Sequence, residues 1–190
     1  GSPAANESDW LWVQATANSE WLLAFQQQGV NSPPRIHAAR LQDLDDPKKF
    51  RWKEVAGEAA GVRPEAGAVH VGDRLYVRTF RDAGRFAVLR FDLDARKPEP
   101  EVLVPEQAGV IDALAVAADA LYYVVRGPTT GALYRLPHGE KVEAARRVEL
   151  PFAGSIDVVH SSADVPGLLL RLQGWTESPR IYAYTPPPSG

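Results

Sequence analysis

Three segments of the chain repeat one pattern at nearly constant spacing. Val71-Gly72-Asp73-Arg74-Leu75-Tyr76-Val77-Arg78 is echoed by Ala117-Ala118-Asp119-Ala120-Leu121-Tyr122-Tyr123-Val124-Val125-Arg126, and more loosely by Asp164-Val165-Pro166-Gly167-Leu168-Leu169-Leu170-Arg171. Leu75, Leu121 and Leu168 stand 46 and 47 residues apart. Each copy reads as a tight polar turn feeding a short apolar strand. A second apolar track follows each one, at 85–93, 132–136 and 180–184. A period of about 40–50 residues that holds several strands fits a propeller blade better than a sandwich or an enzyme core.

The repeat predicts an all-β fold: a partial β-propeller of about four blades, each of three to four antiparallel strands. The blades are expected at 10–56, 66–105, 109–151 and 154–185, after a tag-like or flexible start at 1–9 and before a Pro-rich tail or linker at 186–190. In the first unit, strands are expected at 12–15, 21–26, 35–41 and 51–55, with a turn at Asn18-Ser19-Glu20. The second unit offers 68–71, 74–80, 85–93 and 101–104. Ala87, Leu89, Phe91 and Leu93 alternate there with Arg90 and Asp92, a period of two that predicts a strand with one buried face.

In the third unit local propensity points the other way. Residues 107–121 are rich in Ala, Val and Leu at helical spacings, and 140–147 read similarly. The repeat overrules both, because tertiary context outweighs propensity. It sets 110–116 where 68–71 sits, a turn at Ala118-Asp119-Ala120, and an outer strand at 147–150. The fourth unit runs through 155–160, 168–172 and 180–184 with no obvious fourth strand. Leu75, Val77, Leu89, Phe91, Leu121, Leu133, Leu168 and Leu170 are the expected core between sheets.

A net charge of −3 gives no reason to expect nucleic acid or an anionic membrane as partner. No apolar run approaches the roughly 18–20 residues that span a bilayer, and the first residues lack the pattern of a signal peptide. The chain contains no Met, and Gly1-Ser2 reads as a cloning scar, so the natural protein is expected to extend further in at least one direction. The absence of Cys excludes disulfides, thiol nucleophiles and Cys-ligated metals. Asn6-Glu7-Ser8 fits the glycosylation pattern, one that is common by accident, whereas Pro33 disqualifies Asn31-Ser32.

Four stretches resemble the N-terminal β-propeller of the prolyl oligopeptidase family of serine peptidases. Arg81-Asp82-Ala83-Gly84-Arg85, followed by Leu89-Arg90-Phe91-Asp92-Leu93, is similar to the family's Asp-Ala-Pro loop and the strand behind it, with Gly84 replacing the usual Pro. Glu101-Val102-Leu103-Val104-Pro105-Glu106 resembles its Val-Ile-Pro-Glu outer strand. Ala39-Arg40-Leu41 with 43–47 resembles its Asp-Leu-Asp-Asp-Pro turn. Ser178-Pro179-Arg180-Ile181-Tyr182-Ala183-Tyr184 resembles the segment that ends the propeller before the hydrolase domain. The matches come in family order over about 20–185. The family's propeller has seven blades, and the resemblance implies that this chain supplies about the last four. Gly84 and the Ala-rich third unit mark it as divergent.

The family's nucleophile lies in a Gly-x-Ser-x-Gly turn, and no such motif occurs here. Ser155, Asp157 and His160 invite a triad reading, but triads converge from distant positions, and the repeat places these three in one strand and its turn. His37, His70, His138 and His160 lack ligand spacing. Asp43, Asp45 and Asp46 lack the Gly and distal Glu of a calcium loop and read as a solvated turn. Trp10, Trp12, Trp21, Trp52 and Trp175 are expected to pack between blades, with the loop residue Trp175 the best exception as a binding platform. Arg63, Arg74, Arg78, Arg126 and Arg171 recur at strand ends and read as solvated, with a channel lining as the alternative. The expectation is therefore no catalytic residue, no metal site and no cofactor.

The resemblance implies a non-catalytic segment that restricts short peptides entering a hydrolase domain of the same parent protein, where proline-directed hydrolysis would reside. Two other classes compete. One is a free-standing propeller scaffold for protein or peptide binding, supported if the natural gene ends near Gly190. The other is an enzyme with its site on the propeller face, which would need converging carboxylates or His. Blades cut from a wider ring would leave two open faces, so the chain is expected either to close into a tight four-blade ring or to hide those faces by self-association, the second being the favoured outcome.

Overall fold

The computed structural model describes residues 9–16, 19–29, 32–63 and 68–187. Fifteen strands within these residues pair antiparallel, in chain order, into four separate sheets. The first contains β1 (Asp9–Ala15), β2 (Trp21–Gln28), β3 (Arg35–Arg40) and β4 (Lys53–Ala56). The second contains β5 (Ala68–Val71), β6 (Arg74–Thr79), β7 (Ala87–Asp92) and β8 (Glu101–Val104). The third contains β9 (Val110–Val116), β10 (Ala120–Arg126), β11 (Gly131–Pro137) and β12 (Arg146–Arg147). The last has three strands, β13 (Ser155–Ser162), β14 (Val165–Gln173) and β15 (Arg180–Tyr184). Among the described residues there is no α-helix, and none is long and apolar enough to cross a membrane. Four up-and-down sheets in series are the blades of a partial β-propeller.

The blades meet face to face, and the core divides accordingly into three clusters. One joins the first and second sheets (Leu23, Phe25 and Ile36 against Leu75, Val77 and Phe91). Another joins the second and third (Tyr76 and Val88 against Leu121, Tyr123 and Leu136). The last joins the third and fourth (Tyr122, Val124 and Leu133 against Leu168, Leu170 and Leu172). Leu75, Leu121 and Leu168 are therefore equivalent, each buried in the first half of a second strand and facing the preceding sheet. All eight predicted core residues are buried.

The Ala-rich third unit is strand–turn–strand. β9 and β10 are closed by Ala117 N–H donating to Ala120 O at 3.0 Å. Gly109 enters β9 where the backbone passes the end of β10, and a Cβ there would lie 2.5 Å from Arg126 O. Gly154 enters β13 in the same way, against Gln173 O. That crossing needs a residue without a side chain.

Three expectations need correcting. β7 does not bury one face only: Val88 is as fully covered as Phe91, because sheets pack on both sides of it. The outer strand of the third blade is not 147–150 but the two-residue β12, since Val142–Ala144 forms a 3-10 turn first and only Val148 N–H continues toward Leu133 O, at 2.8 Å. Trp10 does not pack between blades; it is 66% exposed. The sequon at Asn6, the residues Asn18 and Asn31, and the end of the tail at 188–190 lie outside the described residues.

Candidate functional site

The turns that open the repeat carry carboxylates, and the fold uses them to tie neighbouring blades. Asp73, between β5 and β6, accepts a hydrogen bond from Trp21 Nε1 of the first blade at 2.8 Å. Arg40 lies over the Trp21 ring at 4.1 Å, bonds Glu20 at 2.5 Å and pairs with Asp94. Lys53 donates to Leu93 O and Ala95 O at 2.6 and 2.9 Å. Burial holds its pKa below the usual lysine range, against the opposing pull of Asp94.

Asp119 repeats the device one seam further on. Its carboxylate accepts from Tyr122 Oη at 2.8 Å, from Arg135 Nε at 2.6 Å and from the Gly167 N–H of the fourth blade at 2.8 Å. Burial alone would raise its pKa, but the bonds from Gly167, Arg135 and Tyr122 outweigh burial and hold it below the usual carboxylate range. Burial and Asp119 together push the Tyr122 phenol up. Sequence reasoning saw both aspartates as polar turn residues. The signal for their role was their recurrence at the same offset before Leu75 and Leu121.

Between the second and third blades, at this hairpin end, lies a cleft of about 480 Å³ lined by Arg74, Arg90, Asp92, Asp94, Glu99 and Glu101. Arg90 donates to Glu101 at 2.6 Å. Such a cleft can attract cations, but it presents no activated nucleophile. Among the described residues no group of three or more His, Cys, Asp or Glu is placed to hold a metal.

Ser155, Asp157 and His160 lie along β13, and no hydrogen bond joins them. Ser155 Oγ donates to Gln173 O at 3.4 Å, and the Asp157 carboxylate is taken by Arg171 at 2.7 Å. Asp46 caps its own turn through Lys48 N–H at 3.0 Å. The arginines divide. Arg63 and Arg126 are exposed, Arg126 pairing with Asp112 at 2.9 Å. Arg74 lies half-buried, its charge beside Tyr76. Arg78 departs from the solvated reading: it is buried, lies 4.7 Å over the Phe86 ring, and donates to Ile111 O at 3.2 Å and to Asp112 O on the next blade's inner strand.

Trp12 stacks on Phe25 at 5.0 Å, Trp21 is buried at the first seam, and Trp52 meets Phe50 edge-on at 5.2 Å. Trp175 stands 89% exposed after β14, at the same end of the blades as Phe80, which follows β6 and is 44% exposed.

His37, His70 and His138 are at least partly buried. His138 meets Ala117 O at 2.8 Å, and His160 is exposed. His70 is buried at the first seam, its Nδ1 2.9 Å from Thr16 Oγ1 and its Nε2 without a partner. Burial lowers its pKa to about 4. The unfolded chain, with His near pH 6.5, then binds a proton that the fold refuses. Stability from this group is complete above about pH 6.5 and falls by about 2–3 kcal/mol as pH drops toward 4. Burial lowers the pKa of His37 as well, so it acts in the same direction. Chemical denaturation across that range should show the loss, and His70→Gln should flatten it. An unchanged slope in the variant would assign the loss to other groups.

The profile described as "Prolyl oligopeptidase, N-terminal beta-propeller domain" matches residues 4–187. Among curated proteins none matches the chain. Among solved structures, prolyl oligopeptidase B from Galerina marginata in its apo form is similar at 18% identity and a TM-score of 0.76, over 95% of this chain and 25% of that one. A prolyl endopeptidase studied for inter-domain dynamics in catalysis and specificity is similar at 18% identity and a TM-score of 0.75, over 94% of this chain and 25% of its own. The Galerina marginata enzyme bound to a 25-residue macrocyclization substrate gives 18% and 0.71, over 94% and 24%. The chain thus spans about a quarter of the length of these structures. With four blade sheets in series and a profile match running almost from end to end, the chain belongs to the family of prolyl oligopeptidase N-terminal β-propeller domains.

Proposed function

We propose that the chain is a non-catalytic propeller segment that selects peptides for a prolyl oligopeptidase-type hydrolase domain, its partner within the same parent protein. The observation that carries this reading is the profile match from 4 to 187, to a domain that is the propeller and not the hydrolase of these peptidases. In this reading the blades cover a catalytic site that lies elsewhere and admit short peptides while excluding folded proteins. No residue of the chain acts as nucleophile, general base or metal ligand. Blade units at about 10–56, 66–105, 109–151 and 154–185 serve as the cover.

Two measurements test it. The purified chain alone should not cleave a chromogenic prolyl peptide, because an unactivated hydroxyl is a poor nucleophile; turnover that co-purifies and vanishes in Ser155→Ala would overturn this. Added to the isolated hydrolase domain of a prolyl oligopeptidase, the chain should slow cleavage of a long peptide more than that of a short one. Equal effects on both lengths would remove the selecting role. The exposed pair Phe80 and Trp175 at one end of the blades favours a second reading, a scaffold that binds protein or peptide there. Quenching of Trp175 fluorescence by added peptide, without any hydrolase domain, would support that reading.

A further inference from the structure

The seam between the third and fourth blades closes its outer side with an aromatic pair. Phe152, in the linker that leads into β13, meets Tyr182 of β15 edge-on at 6.3 Å. Tyr182 lies opposite Leu170 in its sheet, as Leu89 lies opposite Val77 in the second sheet. At the seam between the first and second blades, the 3-10 turn Glu58–Ala60 contributes only Ala60 to the corresponding space, and a cleft of about 380 Å³ stays open beside Leu89. Ala83, Ala87 and Leu89, all buried, form its floor, and Val102, 59% exposed, stands on its wall.

The cleft runs along β8. That strand is the last of its sheet, so one edge of its backbone is unpaired. Pro100 and Pro105 line the cleft just before and just after β8, and they limit the free edge to the four residues Glu101–Val104. Arg81 stands at the Val104 end, because its loop leads into β7, where Val88 pairs with Val104. Its side chain is 60% exposed. Nη1 donates to Ala59 O at 2.6 Å, Nε lies 3.7 Å from the Asp82 carboxylate, and Nη2 has no partner among the described residues. Glu106, on the same wall, is taken up by Arg85 Nε at 2.8 Å.

We infer that this cleft binds the C-terminal end of a short extended peptide whose last side chain is apolar. The peptide lies along the free edge of β8 and adds main-chain hydrogen bonds to it. Its terminal carboxylate meets Arg81, whose unused Nη2 arm supplies a charge-assisted bond. With the carboxylate at the Val104 end, the peptide runs parallel to β8 and keeps its negative end away from Glu101. The last side chain settles over Ala87 and Leu89, and its burial supplies the apolar part of the affinity. The site lies within a seam of the first two blades, two blades away from Trp175. It needs no hydrolase domain, so it stands or falls separately from the peptide-selecting role.

The probe is the tetrapeptide Ala-Ala-Ala-Val, labelled with fluorescein at its N-terminus and titrated with the chain in fluorescence polarisation. It should show saturable one-to-one binding. The same peptide as a C-terminal amide should bind at least about tenfold more weakly, and so should the acid form on Arg81→Gln. Asp82→Asn removes the competing carboxylate and should tighten binding by about twofold. Val102→Glu should block the groove. These three side chains are exposed, so the variants should keep the wild-type circular dichroism spectrum, and Trp175→Ala should leave binding unchanged. No saturable binding at about 1 mM chain would overturn the inference. Equal affinity for acid and amide would do the same, as would binding lost in Trp175→Ala but kept in Arg81→Gln. Hexanoate is an apolar carboxylate without main-chain groups; if it displaced the peptide at equal concentration, the edge of β8 would take no part and the peptide assignment would fail.

Discussion

Leu121→Ala is expected to destabilise the protein by about 2–5 kcal/mol, the range for deleting a large aliphatic group from a packed interior. The leucine is 1% exposed and sits between Val116 and Leu136 across its own sheet, in the cluster with Tyr76 and Val88 of the second blade. Both neighbouring sheets are held in place by their own hydrogen-bond ladders, so the space left behind cannot collapse easily. For a chain of 190 residues the loss corresponds to a melting temperature lower by about 5–15 °C. Leu75→Ala, at the equivalent position of the second blade, should fall in the same range. Leu44→Ala, on an exposed leucine, should stay within about 0.5 kcal/mol of wild type. Thermal melts of the three variants check this. If Leu121→Ala behaved like Leu44→Ala, the seam between the second and third blades would be misassigned.

Asp119→Ala should cost about 3 kcal/mol, although no apolar surface is lost, because it strips three donors of one acceptor. Arg135 and Tyr122 belong to the third blade and Gly167 to the fourth, so the variant loosens a seam as well as a turn. Asp119→Asn keeps an acceptor oxygen but loses the charge opposite Arg135, and should lie between the two. The pH dependence separates this site from His70. A carboxylate with a depressed folded pKa stabilises the fold above its unfolded value, and that stability is lost as pH falls below about 4. The His70 loss occurs above that point, between about pH 6.5 and 4. Denaturant midpoints of wild type, Asp119→Ala and His70→Gln across both windows should show the two losses disappearing independently. A single merged transition, unaffected by either variant, would show that neither group governs acid stability.

Much of the blade order was legible because turn chemistry and apolar strands recur together. The hairpins at Gly72-Asp73 and Ala118-Asp119 each precede a leucine that the fold buries, and this recurrence was enough to overrule the helical look of 107–121. The same reasoning slipped where the repeat was weak. In 140–147 no turn residue marks the outer strand, and a 3-10 turn takes up the chain before β12 begins. The inter-blade roles of Asp119 and Arg78 were not legible either. Their partners, Gly167 and the carbonyls of Ile111 and Asp112, lie 48, 33 and 34 residues away and carry no local pattern.

The sequence by itself determined that the chain forms short antiparallel strands in repeating units, since turns, strand alternation and loop punctuation are local properties. Only the tertiary structure decided which faces of those strands are covered. Val88 and Ile181 occupy the same place in their sheets, yet one is fully buried and the other 65% exposed. Burial of a sheet face depends on the sheet that packs against it, and no property of the strand's own residues specifies that neighbour.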